Sequence, residues 1–385
     1  MIVDRIAQGV RVGLLEDGRL VEVDVAGDTD GERGRICLGR VSRVERDLDG
    51  AFVDCGSGVH GFLGARDART LSDAPRRASI GDQVSEGQAV LAQVRRAAQG
   101  DKGPRLSADI ALPGIFLVHR PRIGRIELAP DLARSDQAGG QQARGEALFP
   151  EGGFMLRRAA VRASDAELVE EAQHLRALWA AIEQRAGTMR PPTWLDPPAE
   201  PLERLLLRHV GPDLAQITLA DRTALIRART WLGTWLPRLV DRLAHLPDAF
   251  EASGAADQLE EALGRVVALP GGGSLIVEPT AALTAIDVNG AGRRPLEVDL
   301  EAAAEIARQL RLRQIGGIVV IDFVDLEAKP DRARLLSALR AAFADDPAMV
   351  QLSPMSPLGL VELSRQRTGP TLAERLGRVE EMVDE

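Results

Sequence analysis

Leu283-Thr284-Ala285-Ile286-Asp287-Val288-Asn289 and, further on, Gly316-Gly317-Ile318-Val319-Val320-Ile321-Asp322-Phe323-Val324-Asp325 decide the reading of this 385-residue chain. Each is a short apolar run that ends on an aspartate. Short apolar runs bounded by turn residues read as buried strands. Between them lies a helical pattern from Leu300 to about Gln314, with Asp299 as its N-cap and Gly316-Gly317 as its stop. A strand, a helix and a second strand in the same sheet run parallel, so Asp287 and Asp322 emerge at the same carboxyl edge. Ligands bind open α/β sheets at that edge. Upstream, Pro270–Gly273 leads into a strand at Ser274–Glu278, which turns through Pro279–Ala282 into Leu283–Val288. Downstream, a helix is expected from Asp331 to Phe343, with strands at Met349–Leu352 and Leu358–Leu363. The pattern predicts an α/β domain with both sheet faces covered and Ile318–Ile321 as a fully buried strand.

Two carboxylates placed together repel unless a cation lies between them, and hard oxygen ligands suit Mg²⁺ or Mn²⁺. Asn289 adds an amide oxygen for the metal shell or for a water, and Asp325 is a third acid nearby. Arg293, Arg294, Arg308, Arg311, Arg313, Arg365 and Arg367 supply positive charge in the same stretch. A metal-bound pair beside arginines is what phosphodiester hydrolysis needs. A plainer reading stands beside it. Asp and Asn also end strands because they make turns, and Arg308, Arg311 and Arg313 also fit the polar face of a helix. The residues alone separate neither RNA from DNA nor a nuclease from a phosphatase.

Outward from this block the patterning changes. Residues 1–25 read as a hairpin about Glu16-Asp17-Gly18. Residues 34–109 alternate strongly and are cut by turn signals at Asp47–Gly50 and Gly56–Gly58, which predicts a small OB-type barrel. Gly114–His119 and Phe154–Arg162 read as strands. Asp165–Arg185 reads as a long helix with Leu168, Ala172, Leu175, Leu178 and Ile182 on its apolar side, and Ser164 and Glu167 form a capping box. A Pro-rich joint at Arg190–Pro198 precedes helical sequence from Pro201 to Leu246.

Composition narrows the classes. The chain is 45% hydrophobic, which fits a globular protein. No apolar run approaches the roughly 20 residues that span a bilayer. Charges at Asp4 and Arg5 break up the first stretch, so no signal peptide is read there and a cytoplasmic location is expected. Net charge is −9, which argues against a generic nucleic-acid coat. Lys102 and Lys329 are the only lysines, so the positive charge is nearly all arginine, whose planar fork suits phosphate. Cys37 and Cys55 read as two buried reduced thiols, and the scattered histidines suggest no zinc site.

The same stretches resemble the ribonuclease E/G family. The resemblance is carried by Leu283–Asn289, by Leu300–Arg313 continuing through Gly316–Asp325, and by Val350–Ser353 with Gly359–Arg367. Gly39–Val44, Ala51–Asp54 and His60–Leu63 add to it. The resemblance implies a ribonuclease-H-like subdomain at 1–33 and 196–262, an inserted S1-type OB domain at 34–109, a 5′-end sensor region at 110–195 and a DNase-I-like catalytic domain at 263–385. It implies Asp287 and Asp322 as Mg²⁺ ligands, Asn289 as the assisting amide, and Phe52, Phe62 and Lys102 as RNA contacts. On residue pattern alone, either phenylalanine also fits the barrel core. The activity implied is Mg²⁺-dependent endonucleolytic cleavage of single-stranded RNA in processing or decay, leaving 5′-phosphate products. The alternative is an RNA-binding accessory protein of the same descent with little or no cleavage. No membrane partner is implied.

The sequence departs from the family in three places. Thr371–Glu385 carries no Cys-x-x-Cys pair, so any homo-oligomer is expected to lack the zinc link. In the 5′-sensor, Gly114, Val118 and Arg157 match, but Arg158 stands where the family has threonine and Met349 stands near an expected arginine. Weak preference for 5′-monophosphorylated RNA is therefore expected. The loop Gly290–Val298 is short, which implies a different grip on substrate near the metal.

Overall fold

A computed structural model describes residues 1–7, 9–27, 33–71, 78–96, 98, 103–196, 200–344, 346–367 and 369–377. The chain is mixed α/β and divides into two compact units, one of residues 1–25, 216–225 and 243–385, the other of 26–215 and 226–242. Among the described residues no helix is long and apolar enough to cross a membrane.

In the first unit, a six-stranded sheet takes the order Val266–Ala268, Ser274–Pro279, Thr284–Asn289, Gly317–Asp322, Val361–Arg365, Val350–Leu352. The two aspartate-bearing strands are the parallel pair, as the strand–helix–strand pattern predicts. One face of the sheet packs Leu275, Val277, Ile286, Val288, Val319 and Ile321 against Val298, Ala302, Ile306, Leu310, Leu335 and Leu339 of two helices, Pro295–Leu312 and Lys329–Ala342. Among the described residues no helix covers the other face, which corrects the expectation of a sheet covered on both sides. Ile318 is 55% exposed and Val320 is half-buried, so the strand alternates rather than being fully buried. Both helices lie on one side, and a strand's side chains alternate between faces.

The connecting helix starts at Pro295, not after Asp299. Proline is favoured in the first turn, because its ring presets φ and its missing N–H has no partner to lose there. Asp299 therefore sits inside the helix. At the far end Gln314, with φ 56°, takes the left-handed position that the sequence reading gave to glycine.

A second sheet in this unit takes the order Leu243–His245, Ile217–Leu219, Ile2–Ile6, Gly9–Glu16, Arg19–Gly27. The expected turn is present: Asp17 and Gly18 have φ 49° and 77°, the left-handed pair of a tight hairpin.

In the second unit, Ile36–Glu45, Gly50–Asp54, His60–Gly64, Arg105–Ser107 and Ala89–Arg96 form a barrel, closed by pairing of the first strand with the last. This bears out the strand-rich reading of 34–109 and is consistent with an OB fold. Val41, Ala51, Val53, Leu63, Val90, Ala92, Val94 and Leu106 fill it, together with Cys37 and Cys55, which are buried and not joined in a disulfide, as expected. Hydrogen bonding to Cys55 and burial hold the Cys37 thiol well above its usual range.

A four-stranded sheet of short strands and the helix Asp165–Thr188 follow the barrel. The Ser164/Glu167 capping box forms, and Leu168, Ala172, Leu175 and Ile182 are buried, but Leu178 is 44% exposed. Two expected strands are shorter than their apolar runs. Gly114–His119 contains a turn in which Gly114 N–H donates to Leu117 O, and Phe154–Arg162 becomes 3₁₀ helix after Leu156.

Candidate functional site

Asp287 and Asp322 are Cα partners in the parallel ladder. Neighbouring strands lie about 4.8 Å apart, and partnered residues point to the same face. Both carboxylates therefore project side by side from the open face, and both are exposed. Asn289, two residues after Asp287, shares that face and is also exposed. Its Oδ1 accepts the Ala291 N–H at 3.1 Å, so the amide also shapes the turn into the short loop. Asp325 is exposed, but among the described residues no group of three or more His, Cys, Asp or Glu side chains is arranged to hold a metal. The pair plus one amide oxygen is the local donor set. Exposure leaves room for a cation's remaining water ligands, which Mg²⁺ commonly keeps.

Asp299 of the connecting helix holds the backbone just past the second aspartate strand. That side chain is fully buried, and its Oδ1 accepts the Val324 N–H at 3.0 Å, just past Asp322. Its Oδ2 has no partner among the described residues. Burial pushes this carboxyl up to about 7. Reading Asp299 as an N-cap hid this role. Pro295, four residues earlier, is a favoured first-turn residue and would have placed Asp299 inside the helix, though not its burial.

Most arginines named with the pair are engaged elsewhere. Arg293 binds Glu301, Arg308 binds Glu305 and Leu20 O, and Arg311 binds Glu22. Arg365 is buried in an ion pair with Asp346 at 2.9 Å. Arg313 is buried and donates to Gln309, and burial lowers it to about 10. These side chains brace the helix and the sheet. Arg367 is exposed and makes no ion pair among the described residues.

On the barrel, Phe52 and Phe62 pair across adjacent strands, with ring centroids 5.6 Å apart in an edge-on arrangement. Both are half-buried and stand outside the barrel core. A Cβ at Gly50 would overlap the Phe62 ring, so glycine there lets the ring lie across its own sheet. Lys102 lies outside the described residues.

In the region expected to sense 5′ ends, Arg157 Nη1 donates to Gly114 O and to Leu207 O, the latter at 3.3 Å. Burial lowers its pKa. Gly114 is packed on Glu171, whose carboxylate accepts the N–H groups of Ile115, Phe116 and Leu117. Burial pushes Glu171 up to about 7, against the pull of those donors. Val118 is half-buried on the strand Leu117–His119. Arg158 and Met349 are exposed.

The ribonuclease E/G family model matches residues 111–368, which takes in the aspartate pair. The chain belongs to the ribonuclease E/G family. Ribonuclease E of Nostoc sp. is 34% identical over 360 residues, covering 89% of this chain and 52% of that protein. Ribonuclease G of Haemophilus influenzae is 33% identical, covering 94% of this chain and 78% of the relative. For Escherichia coli ribonuclease G the identity is 31%, over 93% and 78%. The chain thus spans about half the length of ribonuclease E relatives and most of the length of ribonuclease G. Within this ribonuclease E/G chain, the matched region holds Asp287, Asn289 and Asp322 as well as the Gly114–Arg157 cluster.

Proposed function

We propose that this chain is a Mg²⁺-dependent endoribonuclease that cuts single-stranded RNA in processing or decay and leaves 5′-phosphate products. The observation that supports it most is the register of Asp287 and Asp322, side by side on the open sheet face. Asp287 and Asp322 would hold Mg²⁺, with Mn²⁺ as a substitute, and Asn289 would offer its amide oxygen. A cation there supplies charge to offset a phosphoryl oxygen and acidity for an attacking water. The open face admits an extended chain, and the Phe52–Phe62 pair offers ring faces for unpaired bases. In this reading the six-stranded layer is the DNase-I-like part, the Ile2–Gly27 sheet is the ribonuclease-H-like part, and the barrel is of the S1 type.

Incubating the full chain with labelled AU-rich single-stranded RNA, with Mg²⁺ or with EDTA, tests this. Internal cuts with 5′-phosphate ends, abolished by EDTA, are expected. Binding without cutting would instead support the accessory RNA-binding reading. The Arg157 guanidinium is already bonded to two carbonyls, which fits a weakened 5′-end sensor. Matched 5′-phosphate and 5′-hydroxyl RNAs should therefore be cut at rates within about threefold, since losing one full charge-assisted hydrogen bond is worth roughly tenfold or more. A large advantage for the 5′-phosphate would contradict this.

A further inference from the structure

The barrel's outer wall carries a row of paired residues, with a register shift beside Arg43 at one end and beside Arg96 at the other. Arg43 partners Phe52, Phe52 partners Phe62, Phe62 partners Arg105, and Arg105 partners Arg96. Each barrel strand contributes one residue, so the row runs about 19 Å at the usual strand spacing. The guanidinium of Arg105 lies over the Phe62 ring, 5.1 Å from its centroid, and that of Arg43 lies 5.9 Å from the Phe52 centroid. At the Arg96 end the wall opens into a polar cleft of about 340 Å³. Arg66, Arg95, Arg96 and Arg105 line it, against Asp67 and Asp109. Asp109 is already held by Arg120, and Arg95 donates to the Asp109 carbonyl at 2.7 Å. Among the described residues, the side chains of Arg66, Arg96 and Arg105 have no hydrogen bond or ion pair. Three guanidinium groups with no acidic partner among the described residues line one cleft in a chain of net charge −9. Like charges crowded together are costly unless an anion enters.

We propose that this cleft holds a backbone phosphate of a single-stranded RNA whose bases lie on Phe52 and Phe62. The inference rests on the reading of the barrel as an RNA-binding module, and adds a defined phosphate site to it. Arginine forks match phosphate oxygens, and a base needs a ring face to stack on. The row offers both within one continuous line. An acidic peptide would be drawn to the arginines but would gain nothing from the rings. Asp67 is the remaining carboxylate of the cleft and opposes the anion.

The test uses the full chain in EDTA, which prevents cutting, and a fluorescent short oligouridylate followed by anisotropy across a salt series. In the Arg66→Gln/Arg96→Gln double variant the slope of log K against log salt should fall by about 0.7, the value for one lost phosphate contact on a single strand. Asp67→Asn should tighten binding. Phe62→Ala should weaken binding and keep the wild-type slope. If the arginine variant keeps both slope and affinity while Phe62→Ala weakens binding, the phosphate cleft is wrong and the barrel reading stands. If Phe62→Ala also binds like wild type, the barrel reading fails with it. Circular dichroism of each variant separates loss of binding from loss of fold. Both glutamine substitutions are at exposed positions and remove no contact within the barrel.

Discussion

Asp299 shows how one buried carboxyl can hold the backbone that follows a strand of another element. Its oxygen holds the Val324 N–H, and its other oxygen is buried without a partner among the described residues. Burial raises the folded-state pKa from 3.8 to about 7, so folding takes up a proton between those values. The stability tied to this group is full below about pH 4 and is lost as pH rises through 7. Asp299→Asn keeps an acceptor for Val324 and removes the titration. Its melting temperature should be flatter than wild type from pH 4 to 7 and higher than wild type above that window. Parallel melting profiles across the range would contradict the assignment. Glu171 shows the opposite arrangement, a carboxylate with three backbone donors. Glu171→Ala leaves those N–H groups buried without an acceptor and should cost about 2–5 kcal/mol in urea unfolding, at roughly 1–3 kcal/mol per group with partial relaxation. A loss under about 1 kcal/mol would mean that water replaces the carboxylate. The sequence exposed neither role. Asp299 stands where an N-cap is common, and Glu171 lies on a helix whose exposed positions are also acidic.

At the scale of elements, alternation and turn chemistry carried most of the reading. The Asp17-Gly18 hairpin, the Ser164 capping box, the five-stranded closed barrel and the parallel aspartate strands are all present. What failed was the layering. Ile318-Val319-Val320-Ile321 is apolar throughout, and such a run does not say that only one face is packed. The arginines failed for a related reason. Glu305 is an i,i+3 neighbour of Arg308 on its own helix, but Glu22 and Asp346 come from other elements, and only folding brings them to Arg311 and Arg365. Gly50 belongs at this scale because it lets the Phe62 ring lie across the barrel sheet. Gly50→Ala should displace that half-exposed ring. RNA affinity should fall severalfold, in line with about 1–3 kcal/mol per stacked base, while stability changes by less than about 1 kcal/mol. Unchanged anisotropy titrations would show that ring position does not matter for binding.

For the whole molecule, family membership and the aspartate pair support each other. The family match covers the sheet that carries the pair, and the sheet register puts the two carboxylates together without reference to any relative. Two carboxylates acting through one cation form a single device, and losses within such a device are not additive. The most direct test is single-turnover cleavage of one single-stranded RNA by wild type, Asp287→Asn, Asp322→Asn and the double variant across a Mg²⁺ titration. Each single variant should lose at least about a hundredfold in rate, and the double variant should be no slower than the worse single by more than about threefold. Cleavage at the wild-type rate by either variant, or losses that multiply in the double variant, would contradict a shared metal site at Asp287 and Asp322.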